Sequence, residues 1–146
     1  MASAHDVAAY ILSRLSPLTA MKLQKLVYYS QAWSLVWDER PLFDEAIEAW
    51  ANGPVVPELY EIHRGRFSAS DWPKGDTSKL DGTAIETIDA VLEYYGPLGA
   101  QELSDLTHRE APWRDARKGI PEGEHGSKVI TLEAMMEYYS SIQANE

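Results

Sequence analysis

Apolar residues recur at three- and four-residue spacing through most of the chain, so the sequence predicts a mainly helical protein. Val7, Tyr10, Ile11 and Leu15 mark one face of a first amphipathic helix, which Ser16-Pro17 ends. Thr19 is placed to cap a second helix reaching Trp37, its hydroxyl accepting an amide hydrogen that the first turn leaves unpaired. Met21, Leu23, Leu26, Val27, Tyr28, Tyr29, Ala32, Trp33, Leu35, Val36 and Trp37 go almost all the way round that helix, as in an element covered on most sides. It is the predicted central helix, with Trp33 and Trp37 in the core. Lys22 and Lys25 mark where it leaves the core or meets a partner.

Beyond the turn at 38–41, residues 43–50 alternate as a strand would, although Phe43, Ile47 and Trp50 also fit one helix face. Asn52-Gly53-Pro54 breaks the chain, Gly53 being free to take positive φ but biased toward extended geometry by the proline after it. Pro57 suits the first turn of a short helix carrying Leu59, Ile62 and His63. Residues 64–81 form the main irregular loop, with Trp72 expected to be exposed. Asp81 or Thr83 caps a helix bearing Ile85, Ile88, Val91 and Leu92, and Gly96-Pro97 stops it. A short helix from Gly99 has Leu98, Leu103 and Leu106 as its inward candidates, 112–117 is a turn or helical turn, and 119–126 is a second loop. Residues 128–130 read as a brief strand, after which Thr131 caps a last helix with Leu132, Met135, Met136 and Tyr139 inward. Because unpaired backbone groups are costly inside a domain, the two extended segments are expected to pair. The fold class is therefore mainly α (α+β): a helical bundle in one domain over 1–146, built around a buried central helix at 19–37. A two- or three-stranded β element at 43–50 and 128–131 completes it.

A chain of 146 residues with 45% hydrophobic content supports one sizeable core. The absence of cysteine excludes disulfides, a thiolate zinc site and a cysteine nucleophile, and it fits a reducing compartment, here the cytoplasm. Neither a secretory signal nor a run of membrane-spanning length is present, so no membrane role is expected. Twenty-three acidic residues against 13 basic ones give a net charge of −10, which repels phosphate backbones and argues against direct nucleic-acid binding.

Little in the chain points to catalysis. His5, His63, His108 and His125 lie far apart, and no two share the spacing of a metal-binding helix face. Asp105 and His108, three apart, are the best local pair: a carboxylate orienting an imidazole, or an ordinary surface pair. No GxSxG elbow occurs, and acidic Glu122 and Glu124 separate the glycines of the only Gly-rich loop. The expectation is no catalytic residues, no metal and no cofactor, with a small hydrolase centred on Asp105 and His108 as the enzymatic alternative. Five Trp and eight Tyr against two Phe favour rings with a polar edge, which serve either a protein interface or an internally satisfied core.

Three stretches together resemble a known family: Lys22-Leu-Gln-Lys-Leu-Val-Tyr-Tyr-Ser-Gln-Ala-Trp33, Ala49-Trp-Ala-Asn-Gly-Pro-Val-Val-Pro-Glu-Leu-Tyr60 and Leu103-Ser-Asp-Leu-Thr-His-Arg-Glu-Ala-Pro-Trp113. Their order and spacing are similar to the Panacea domain of SocA-like antitoxins, which also has phage-associated members. The resemblance implies an antitoxin of a bacterial or phage toxin-antitoxin system that neutralises a cognate protein toxin by direct contact. Family members face toxins of unrelated kinds, so the resemblance implies the role and leaves the toxin's identity and target open. Many members carry a further N-terminal segment or DNA-binding domain; this chain begins close to the domain, so no DNA-binding role is expected of it. Among the matching positions, Leu23, Leu26, Trp50, Gly53, Pro54, Val55, Tyr60, Thr107, Pro112 and Trp113 are expected to specify the fold. Gln24, Lys25, Tyr28, His108 and Arg109, with Trp72 from the loop, are the candidates for toxin contact. The 64–81 loop and the polar end Gln143-Ala-Asn-Glu146 also suit an adaptor that delivers the toxin to an ATP-dependent protease. A homodimer is left open.

Overall fold

The computed structural model describes residues 2–144. Helix α1 (Ala4–Arg14) opens on a capping box, in which Ser3 Oγ accepts from the Asp6 amide at 3.3 Å and Asp6 Oδ2 accepts from the Ser3 amide at 2.7 Å. A two-residue strand, β1 (Leu18–Thr19), leads into α2 (Ala20–Trp37), capped as expected by Thr19 Oγ1, which accepts from the Lys22 amide at 3.1 Å. Every residue from 23 to 35 is buried, so α2 is the central element of the fold. Around it pack α1, α4 (Gly82–Tyr95), α5 (Ala100–Arg109) and α7 (Leu132–Ala144). Asp81 caps α4 by accepting from the Ala84 amide at 2.9 Å, and Thr131 caps α7 by accepting from the Ala134 amide at 3.1 Å.

The β structure is smaller and differently paired than expected. Only Glu48–Trp50 forms a strand, β2, and its partner is β3 (Gly53–Val55) in a tight antiparallel hairpin that pairs Trp50 with Gly53. Gly53 sits at φ +128, so the break at Asn52-Gly53-Pro54 is a hairpin turn. The expected pairing with 128–130 survives as one antiparallel bridge between Glu48 and Val129, flanked by Ala49 N–H to Lys128 O and Ile130 N–H to Ile47 O, both 2.8 Å. Residues 42–43 need no ladder, because the buried Gln31 side chain replaces it: its Oε1 accepts from the Leu42 amide at 2.7 Å and its Nε2 donates to the Phe43 carbonyl at 2.9 Å. A second pair, β1 with β4 (Ser68–Ala69), was not foreseen.

Several side chains also differ from expectation. Trp72 is buried, because its indole N–H donates to His5 Nδ1 at 3.0 Å and its ring lies against His5 and His63. The 64–81 segment is thereby anchored, and Asp6 Oδ1 holds it again by accepting from the Asp76 amide at 2.7 Å. Trp37, expected in the core, is 44% exposed at the last position of α2, where the helix leaves its cover. On α7 only Met135 and Tyr139 are fully inward; Leu132 and Met136 are partly exposed because the helix presents a narrower face to α2. Of the polar end 143–146, Asn145 and Glu146 lie outside the described residues. Among the described residues no helix is long and apolar enough to cross a membrane.

Candidate functional site

The three stretches that carry the resemblance meet in space. Gln24 clasps Val56, its Oε1 accepting from the Val56 amide at 2.9 Å and its Nε2 donating to the Val56 carbonyl at 3.2 Å. Lys25 Nζ donates to the Pro54 carbonyl at 3.2 Å, Ser104 Oγ to the Asn52 carbonyl at 2.7 Å, and the Trp113 indole to the Trp50 carbonyl at 2.8 Å. The β2–β3 hairpin is thus held between α2 and α5. Gly53 is there for room as well as for φ, since a Cβ at this position would lie 2.4 Å from Lys25 Cε and 3.2 Å from Thr107 Oγ1. Leu23, Leu26, Pro54, Val55, Thr107 and Pro112 are buried, while Trp50, Tyr60 and Trp113 are half-buried.

The expected contact residues divide differently. Gln24, Lys25, Tyr28 and Trp72 are buried, so they build the frame, and of these Gln24 and Lys25 also line a cleft at the start of α2. Arg109 is exposed. His108 is half-buried, stacked on Trp113 at 4.0 Å, and its Nε2 has no hydrogen-bond partner. The Asp105–His108 pair does not form, because Asp105 Oδ1 instead accepts from Gln101 Nε2 at 2.9 Å. Burial first, and then the charge of Lys25, hold the His108 imidazole below its usual value. No cluster of three or more His, Asp or Glu with metal-site geometry occurs among the described residues.

Sequence reasoning missed the residue around which the aromatics are organised. Glu110, at the α5–α6 (Ala111–Ala116) junction, is buried, and its Oε1 accepts from the hydroxyls of Tyr29 and Tyr139, both at 2.7 Å. Tyr139 spends its proton on Glu110, so Tyr28, 3.0 Å away, is the donor in the Tyr28–Tyr139 bond. Burial raises the Glu110 carboxyl above its ordinary range, with the two tyrosine bonds opposing. Tyr29 stacks on Tyr95 at 4.0 Å, and the Trp33 indole donates to the Tyr95 hydroxyl at 2.9 Å. Outward of this network opens a groove of about 650 Å³ between the end of α2 and helices α4, α5 and α7. Its rim carries Trp37, Tyr94 at 72% exposure, Arg109 and Gln143. Arg117, also missed, is a buried cation that donates to the carbonyls of Ala49, Pro121 and Glu124 and lies over the Trp113 ring. It ties the 119–126 loop to the hairpin.

Two histidines within the frame must be neutral. His5 Nδ1 accepts from Trp72, and His63 Nε2 lies 3.0 Å from Gln24 Nε2, whose amide hydrogens only donate. For both rings burial is the main cause of a lowered value, reinforced by Lys74 for His5 and by Lys25 for His63. The unfolded rings take up protons near 6.5 and the folded ones only at lower pH, so the contribution is full above 6.5 and is lost as pH falls below it. The urea midpoint is expected to drop between about pH 7.5 and about pH 5.5. A midpoint that stays level over that interval refutes the assignment of both acceptors.

The family model described as Antitoxin SocA-like, Panacea domain, matches residues 23–114, which include Lys25, Gly53, His108, Glu110 and Trp113. Among curated proteins, "Antitoxin SocA" of Caulobacter vibrioides is 32% identical over 115 residues. That alignment covers 66% of this chain and 58% of the length of that protein. No solved structure matches the chain.

Proposed function

We propose that this chain, which belongs to the family of SocA-like antitoxins with the Panacea domain, neutralises a cognate protein toxin by binding it directly through the aromatic groove between α2, α4, α5 and α7. The observation that carries the reading is the groove's chemistry in a member of an antitoxin family. Trp37, Tyr94 and Arg109 stand exposed beside a concave surface, and these residue types dominate the energetics of protein interfaces because they bury large flat faces while keeping a polar handle. The Glu110 network beneath fixes the groove wall before a partner arrives, which reduces the ordering cost of binding. Masking of the toxin's working surface, in the cytoplasm and without a chemical step, is the mode this geometry favours.

Co-expression with the neighbouring gene product supplies the test. That product should be toxic alone and tolerated with this chain. The double variant Tyr94→Ala/Arg109→Glu should fold normally and weaken toxin binding by about tenfold or more. Full neutralisation by that folded variant would remove the groove from the reading, and a neighbour that is harmless alone would remove the antitoxin role. Toxin half-life measured in the same cells distinguishes masking, which leaves it unchanged, from delivery to a protease, which shortens it.

A further inference from the structure

At the other end of α2, away from the aromatic groove, lies a cleft of about 470 Å³ bounded by the β2–β3 hairpin, α3 (Pro57–His63) and the 64–67 turn. Its size is within the range of small-molecule sites. Its charge is opposite to that of the molecule. The chain carries a net −10, yet no Asp or Glu is among the residues lining this cleft, whereas Lys25, Arg64 and Arg66 are.

Lys25 is the most informative of these. It is 1% exposed and has no carboxylate beside it: none of the ion pairs among the described residues involves it, and one carbonyl, that of Pro54, accepts one of its three N–H groups. Burial alone pulls its amine down to about 8, so it still carries its charge at neutral pH. An ammonium held in this way costs stability unless an anion joins it. The frame is nonetheless shaped to keep it, because Gly53 leaves open the space that a Cβ would take from the Lys25 side chain.

The cleft also offers flat apolar surface. Trp50 and Tyr60 meet edge to face at 4.9 Å within it, and at its mouth Phe67 is 82% exposed. Phe67 is held in place from its backbone, its carbonyl accepting from the Ala20 amide at 2.9 Å beside the β1–β4 pair. An exposed aromatic flanked by arginines and fixed by the backbone is a stacking platform set beside cations.

We infer that this cleft binds a phosphorylated small molecule carrying a flat ring, of nucleotide type, with Lys25, Arg64 and Arg66 taking the phosphate charge and Phe67 with Trp50 and Tyr60 taking the ring. Phosphate oxygens give the unaccepted N–H groups of Lys25 what the protein withholds, and arginine forks match phosphate geometry. The site shares no lining residue with the groove assigned to the toxin, so its test is independent of the antitoxin reading.

Calorimetric titration of the full chain at pH 7 with ATP, adenosine and inorganic pyrophosphate, alongside melting curves, tests the inference. ATP should bind saturably and raise the melting temperature. Adenosine and pyrophosphate should each bind at least about tenfold more weakly, because each lacks one half of the recognition. Arg66→Ala and Phe67→Ala, both at exposed positions that leave the core intact, should each weaken ATP binding by about tenfold, as should Lys25→Met, while Tyr94→Ala should not. No heat and no melting shift with ATP at millimolar concentration overturns the proposal. So does ATP binding that Arg66→Ala and Phe67→Ala leave unchanged, or pyrophosphate binding as tight as ATP, which would make the cleft a receptor for bare anions such as a partner's acidic side chains.

Discussion

Replacing Glu110 by alanine is expected to destabilise the fold by about 3–5 kcal/mol, read as a lower urea midpoint with little change in slope. The hydroxyls of Tyr29 and Tyr139 both donate to Glu110 Oε1, and all three residues are buried. Truncation therefore strands two buried donors and leaves a void among stacked rings at the floor of the groove. Glu110→Gln keeps a carbonyl oxygen for the two hydroxyls and should cost less than half as much. Equal stability of the two variants would refute the network. The acid dependence separates them further. Burial raises the folded Glu110 carboxyl above 4.5, so between 4.5 and that value the folded chain binds more protons than the unfolded one. Its contribution thus improves as pH falls toward 4.5, opposite in sign to the histidines, and Glu110→Gln abolishes that improvement.

Gly53→Ala is the second large effect, expected at about 2–4 kcal/mol. Two causes add. A φ of +128 is strained for any residue with a Cβ, and that Cβ would fall 2.4 Å from Lys25 Cε and 3.0 Å from its Nζ. The causes separate in a double-mutant cycle, because Lys25→Ala removes the crowding and leaves the backbone strain. Gly53→Ala made in a Lys25→Ala background should cost about 1–2 kcal/mol, measured by the same denaturation. An undiminished cost in that background would mean that Gly53 is required for backbone reasons alone.

What the chain discloses in one dimension is what local chemistry decides. The central helix was legible because apolar residues recur on nearly all its sides over 21–37 and leave no other place for it, and Thr19, Asp81 and Thr131 cap their helices by reaching amides only three residues away. The hairpin was not legible. Strands of three residues have no room for alternation, and the turn between them is set by Lys25, a residue 28 positions before Gly53. Phe43, the first residue of the segment read as extended, pairs with no strand, because the group that satisfies its carbonyl sits on Gln31 in another element. Trp72 followed the same logic in reverse: its neighbours read as a loop, but its partners, His5 and His63, lie in two helices. Glu110 lay inside the third matching stretch and went unremarked, since a carboxylate's role depends on tyrosines 81 and 29 positions away.

Helix α7 stands apart in this respect. The stretch matched by the family model ends at 114, before α7 begins at Leu132, yet α7 lends Tyr138, Ile142 and Gln143 to the groove. Its inward residues, Met135 and Tyr139, are the ones that lock into the shared frame. The groove is therefore a composite, with one wall from α4 and α5 inside the matched stretch and the other from α7 outside it. On the reading proposed above, substitutions on the outer face of that one helix would redraw the shape and charge offered to a toxin while the Lys25–Gly53–Thr107 knot stays as it is, so that a change of adversary would not require a new scaffold.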